Sequence, residues 1–91
     1  MDTNQHRSPA EVARTVEAIW NDVLDAPADS RNATFFELNG QSISAVRIVA
    51  RIEEELGVPV DMGDLFEDPD LETFVRDVVA KAESLATAET R

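Results

Sequence analysis

Ninety-one residues are enough for one domain and too few for two. Nineteen acidic residues against eight basic ones give a formal charge of -11, a field that repels nucleic-acid phosphates and anionic membranes and attracts basic protein surfaces. The absence of cysteine excludes disulfides, thiolate nucleophiles and cysteine-based zinc sites. No apolar run approaches the ~20 residues of a membrane span. The segment 1–7 has no hydrophobic signal core, so a cytoplasmic protein is the default. That segment reads as flexible, and its His6, the only histidine, reads as solvated rather than catalytic.

The carrier of structure begins at Ser8-Pro9-Ala10-Glu11. Ser8 suits an N-cap, Pro9 the first helical position, and Glu11 completes a capping box. Val12, Val16, Ile19, Trp20, Val23 and Leu24 recur at helical spacing, which predicts a first helix over about 9–25, ended by Asp25-Ala26-Pro27. Residues 26–41 keep no period and hold Pro27, Asp29, Ser30, Asn32 and Gly40, the composition of a long loop. Phe35, Phe36 and Leu38 inside it are expected to pack the loop onto the core.

A second helix is predicted from Ser42 to Leu56, stopped by Gly57. Its apolar stripe of Ile43, Val46, Ile48, Val49, Ile52 and Leu56 is wider than one core face needs. After the extended Val58-Pro59-Val60, Asp61 caps a short helix over Met62–Glu67, and Asp70 caps a last helix over about 71–84. No segment alternates with period 2. The expected architecture is an all-α bundle of three longer helices and one short one, with a long loop between the first two. The domain is drawn at 8–85, between a flexible start (1–7) and a flexible tail (86–91).

The segment Phe35-Phe36-Glu37-Leu38-Asn39-Gly40-Gln41-Ser42-Ile43 puts a serine just after a glycine-containing turn and at a helix start. There the hydroxyl reaches solvent, Gly40 lets the chain turn without a side chain in the way, and the helix N-terminus favours an anion. Ser42 as a plain N-cap explains the same spacing. A hydrolase reading has no base for the serine, and Gly-x-Ser-x-Gly is absent. No catalytic residue is assigned. The acids Asp61, Asp64, Glu67, Asp68 and Asp70 do not match a calcium loop, so no metal site is assigned either.

These nine residues resemble the attachment motif of phosphopantetheine-dependent carrier proteins, above all the peptidyl carriers of nonribosomal peptide synthesis. Ile19 to Leu24, Ala45 to Ile52 and Leu65 to Pro69 are similar to that family's first, second and third helical segments, in order and spacing, so the likeness spans about residues 12–80. It implies a four-helix carrier bundle and covalent 4′-phosphopantetheine on Ser42, with Gly40 and Gln41 beside it. The group would be transferred from coenzyme A by a phosphopantetheinyl transferase using a divalent metal. An adenylation enzyme would then load an amino or aryl acid as a thioester, and condensation or tailoring enzymes would receive it. Asn39 departs from the family's first glycine, but asparagine tolerates left-handed backbone. Ile43-Ser44 departs from the commoner leucine pair. Gln41 precedes the serine where polyketide and fatty-acid carriers, the runner-up, have aspartate; D-alanyl carriers are further relatives.

The docking face for partner enzymes is expected at Ile43, Val46 and Arg47, with Met62 and Leu65 nearby; Val46 and Leu65 as simple core residues are the competing reading. A monomer without nucleic-acid or membrane partners is expected. The short ends flanking the helices suggest a free-standing carrier. The alternative from another class is an unmodified helical adaptor with an apolar groove.

Overall fold

The computed structural model describes residues 8–27, 30 and 32–89. The segment 1–7 with His6, and residues 90–91 of the tail, lie outside them. Four helices follow in order: α1 (Pro9–Leu24), α2 (Ser42–Leu56), α3 (Met62–Phe66) and α4 (Leu71–Glu89). This is the expected all-α bundle. Among the described residues β pairing is limited to one isolated antiparallel bridge, Thr34 to Asp70.

The helix ends obey local chemistry. The Glu11 N–H donates to Ser8 Oγ at 3.1 Å and the Ser8 N–H to Glu11 Oε1 at 3.3 Å, a closed capping box. Asp25 leaves α1 in left-handed backbone at φ 53°. Gly57, at φ 70°, stops α2, where a β-carbon would be strained. Asp61 accepts from the Gly63 N–H at 3.1 Å and Asp70 from the Thr73 N–H at 2.9 Å, which opens α3 and α4. Helix α4 continues past residue 84 to Glu89, so the tail drawn at 86–91 does not begin where helix ends. The reason is compositional: Leu85-Ala86-Thr87-Ala88-Glu89 contains no glycine or proline and is rich in strong helix formers.

Helix α1 packs against α2 and α4, and α3 against α2. Trp20, fully buried, is the centre of an aromatic cluster, with the Phe74 ring of α4 at 5.5 Å and the loop's Phe35 ring at 6.2 Å. Such tilted pairs add roughly 0.5–1.5 kcal/mol beyond their buried area. The Trp20 Nε1–H finds no acceptor among the described residues, so this position is held by ring packing and not by a hydrogen bond. On the surface, the Arg51 guanidinium reaches Asp22 Oδ2 at 2.6 Å and Glu55 Oε2 at 3.1 Å, tying α2 to α1. These hydrogen bonds, first to Asp22 and then to Glu55, raise the Arg51 pKa further.

The long loop is anchored by its backbone and by one ring. The Phe35 N–H donates to the Pro69 carbonyl at 2.9 Å and the Phe36 N–H to Asp68 Oδ1 at 2.8 Å, stitching the loop to the α3–α4 connection. Thr34 and Glu37 exchange side-chain-to-backbone hydrogen bonds at 2.9 and 3.2 Å, and the Leu38 N–H reaches the Thr34 carbonyl, closing a single tight turn. Asn39 takes the left-handed conformation at φ 67°, as its residue type allows.

Gly40 does not have positive φ; what it supplies is room where a side chain would be in the way. A β-carbon there would lie 2.6 Å from two carbons of the Phe35 ring. Gly40 is therefore the floor on which that ring sits, while the Gly40 N–H donates to the Phe35 carbonyl at 2.9 Å. Phe35 is fully buried and Leu38 packs partly against the core, but Phe36 is exposed and only leans on Phe35, with rings 5.4 Å apart. The packing role expected of all three apolar loop residues falls to two.

Gly40→Ala should destabilise the fold by about 1–3 kcal/mol, because the buried ring has nowhere to go. Urea unfolding measures this, and Asn39→Gly, which keeps the left-handed turn, should stay within about 0.5 kcal/mol of the parent. A second outcome concerns pH. Hydrogen bonds from Thr73 hold the Asp70 carboxyl below the usual carboxylate range. Its contribution is then fully present above the unfolded pKa and is lost as pH falls through the lower folded value. Asp70→Ala should thus lower the urea midpoint at neutral pH, with the gap to the parent closing in acid.

Candidate functional site

The tight turn hands the chain to Gly40, Gln41 and then Ser42, the first residue of α2. The N-cap is Gln41, in extended backbone (φ -138°, ψ 177°), whose carbonyl accepts from the Ala45 N–H at 2.9 Å. No side chain caps this helix. The N-cap reading of Ser42 is therefore one residue out of place. Ser42 is exposed, and its hydroxyl has no hydrogen-bond partner among the described residues.

The surroundings suit an anion on that oxygen. The open N–H groups of the first turn and the positive end of the helix dipole lie beside it, and the first turn of α2 holds no acid. A phosphodiester fits there: among the described residues the hydroxyl is exposed and unpaired, and the adjacent N–H groups have no side-chain cap. The described residues include no histidine that could serve Ser42 as a base. Among the described residues no group of three or more acids or histidines is disposed to hold a metal ion.

Beside Ser42, the outer face of α2 carries Ile43 (57% exposed), Val46 (47%) and the exposed Arg47, at i, i+3 and i+4. Ala45, Ile48 and Ile52 take the buried side. Val46 is thereby outside the core. Arg47 has no ion-pair partner among the described residues. From α3, which packs on α2, Met62 is exposed.

Leu65 does not belong with them. It is 0% exposed and part of the core, because on a helix of five residues only one side can meet the bundle, and Leu65 is on it. It supports the face from beneath. Its neighbour Phe66 is exposed like Met62, and neither Phe66 nor exposed Phe36 was among the residues expected at the docking face. Residues one apart on a helix cannot share a face, so Leu65 and Phe66 had to point differently, but that rule does not say which of them is buried.

The Phosphopantetheine attachment site family matches residues 14–78. The chain is 37% identical over 87 residues to phosphinothricin tripeptide synthetase PhsC of Streptomyces viridochromogenes, covering 92% of this chain and 8% of that protein. Pyochelin synthetase PchE of Pseudomonas aeruginosa is 39% identical over 62 residues, which are 68% of this chain and 4% of that one. Surfactin synthase subunit 1 of Bacillus subtilis is 33% identical over 88 residues, 90% of this chain and 2% of the other. The chain thus spans less than a tenth of the length of these relatives. No solved structure matches it significantly. With Ser42 at the open start of α2 and the family match running through it, the chain belongs to the phosphopantetheine attachment site family.

Proposed function

We propose that the chain is a peptidyl carrier: Ser42 Oγ accepts 4′-phosphopantetheine, and an amino or aryl acid rides on that arm between the enzymes of a natural-product assembly line. The observation that carries this reading is the Ser42 hydroxyl, exposed, without a hydrogen-bond partner among the described residues, and at the first turn of a helix with no side-chain N-cap. When bound, the group supplies a flexible arm ending in a thiol, the thioester-forming function that this cysteine-free chain lacks.

The chain's own residues do the holding and presenting. Gly40 seats the Phe35 ring, which fixes the turn before the serine. Gln41 leaves that turn in extended backbone and lends its carbonyl to the first helical hydrogen bond, so Ser42 points outward without being used as a cap. The first-turn N–H groups of α2 stabilise a phosphodiester on the oxygen. None of these groups does bond chemistry, so the chain is a substrate of a phosphopantetheinyl transferase and not a catalyst.

Ile43, Val46, Arg47 and Met62, joined by Phe66, form the face that an adenylation enzyme and then condensation or tailoring enzymes dock on. Three observations favour it: the apolar residues are exposed, they lie on two packed helices, and Arg47, on a chain of charge -11, has no ion-pair partner among the described residues. A small patch suits brief contacts with several partners. Gln41, in place of an aspartate before the serine, and relatives named as peptide synthetases favour the peptidyl over the polyketide type.

Incubated with coenzyme A and a promiscuous transferase, the protein should gain the mass of one phosphopantetheine, and Ser42→Ala should gain nothing. An unmodified parent would remove this reading in favour of a plain adaptor. For the face, Ile43→Asp and Arg47→Glu should each raise the KM for loading by about five- to tenfold, the loss of roughly 1–1.4 kcal/mol at a contact residue. Unchanged loading kinetics in both would place the contact elsewhere.

A further inference from the structure

The turn before Ser42 contains the sequence Asn39-Gly40, and of the four asparagines only Asn39 is followed by glycine; Asn4, Asn21 and Asn32 precede glutamine, aspartate and alanine. We propose that Asn39 is a spontaneous modification site, converting to aspartate and isoaspartate, and that the conversion unseats the turn that presents Ser42. Its consequence for function rests on the carrier reading above; the chemistry does not.

The reaction needs only base and water. The Gly40 amide nitrogen, once it loses its proton, attacks Cγ of Asn39. A new N–C bond closes a five-membered succinimide, and the side-chain amide nitrogen leaves as ammonia after taking a proton from water. Water then opens the ring. Attack at the side-chain carbonyl breaks the new bond and yields aspartate. Attack at the main-chain carbonyl breaks the original peptide bond and yields isoaspartate, with the chain now running through the side chain. A glycine nitrogen is the least hindered nucleophile for this step, since no β-carbon flanks it.

The structure sets both access and restraint. Asn39 is exposed, in left-handed backbone at φ 67°. The nucleophile is held back: the Gly40 N–H donates to the Phe35 carbonyl at 2.9 Å, and the Asn39 N–H to the Phe36 carbonyl at 2.9 Å. Ring closure therefore waits for this turn to open, and its rate reports that opening. By contrast Asn21 lies inside α1, where its backbone is fixed.

The products differ from asparagine in ways the turn cannot absorb. Isoaspartate inserts a methylene into the main chain between the Asn39 and Gly40 N–H groups. The two hydrogen bonds and the contact of Gly40 with the Phe35 ring cannot all survive that insertion. Both products also add a negative charge three residues before Ser42, against the approach of anionic coenzyme A.

The test uses the full chain, aged at mildly alkaline pH and mapped by peptide mass spectrometry, with isoaspartyl methyltransferase to count the iso form. Conversion at Asn39 should outpace Asn21 and Asn32 by about tenfold or more, a barrier lower by roughly 1.4 kcal/mol. It should quicken with rising pH and run faster still in the denatured chain. The separated iso form should show altered Trp20 fluorescence, since Phe35 packs on that ring, and should accept phosphopantetheine several-fold more slowly than fresh protein. Aged Asn39→Gly should keep both its fluorescence and its acceptor rate. Conversion no faster at Asn39 than at the other two, or an iso form with unchanged fluorescence, would overturn the proposal, as would an equal loss in aged Asn39→Gly. Fresh protein that accepts no phosphopantetheine would sink the carrier reading alone, and mapping with fluorescence would still decide this one.

Discussion

One buried ring holds the site in place. Phe35 enters the core from the loop, meets Trp20 on one side and lies on the bare α-carbon of Gly40 on the other. Its N–H is tied to Pro69 and its carbonyl to the Gly40 N–H, so ring and backbone locate the turn together. Ser42 is two residues beyond that contact. A loop as long as this one has a large conformational entropy, and without such an anchor the serine would have no fixed position relative to α2 and α3. Trp20 accepts an orphan indole N–H to be part of this cluster, a loss of about 1–3 kcal/mol that its ring contacts must exceed.

From that anchor the chemistry follows by subtraction. Because Gln41 serves as N-cap through its backbone, the serine hydroxyl is left over, and because α2 has no side-chain cap, its first N–H groups are left over too. A hydroxyl beside a positive helix end suits a phosphodiester, as the proposed carrier role requires. The same division appears on the surface of α2, whose inner side is filled by Ala45, Ile48 and Ile52 while Ile43 and Val46 face outward. Apolar exposure of that kind costs solubility, which the charge of -11 offsets.

Most of the helices were legible in the sequence because their ends carry explicit chemistry. The capping box at Ser8, the stop at Gly57 and the caps at Asp61 and Asp70 all stand where residue type put them. The end of α4 was not legible, since no residue between 85 and 89 says stop. The serine was singled out through the motif around it, but its place relative to the N-cap was not legible: a one-residue shift of the N-cap to Gln41 depends on backbone angles and leaves no mark in composition. Leu65 and Phe66 show the same limit. On a helix of five residues there is too little periodicity to tell the inner neighbour from the outer one, so the docking and core readings of Leu65 stood side by side until the structure put it in the core. Gly40 was singled out because a side chain there would be in the way, but the group it would strike, the Phe35 ring five positions earlier, is visible only once the turn is folded.

The most direct test of the account is a proton–phosphorus correlation spectrum of the protein after treatment with coenzyme A and a phosphopantetheinyl transferase. It should show a single phosphodiester resonance coupled to the β-protons of Ser42. No phosphodiester signal, or one coupled to Ser44 or any other serine, would contradict the claim that the free hydroxyl at the start of α2 is where the arm is joined.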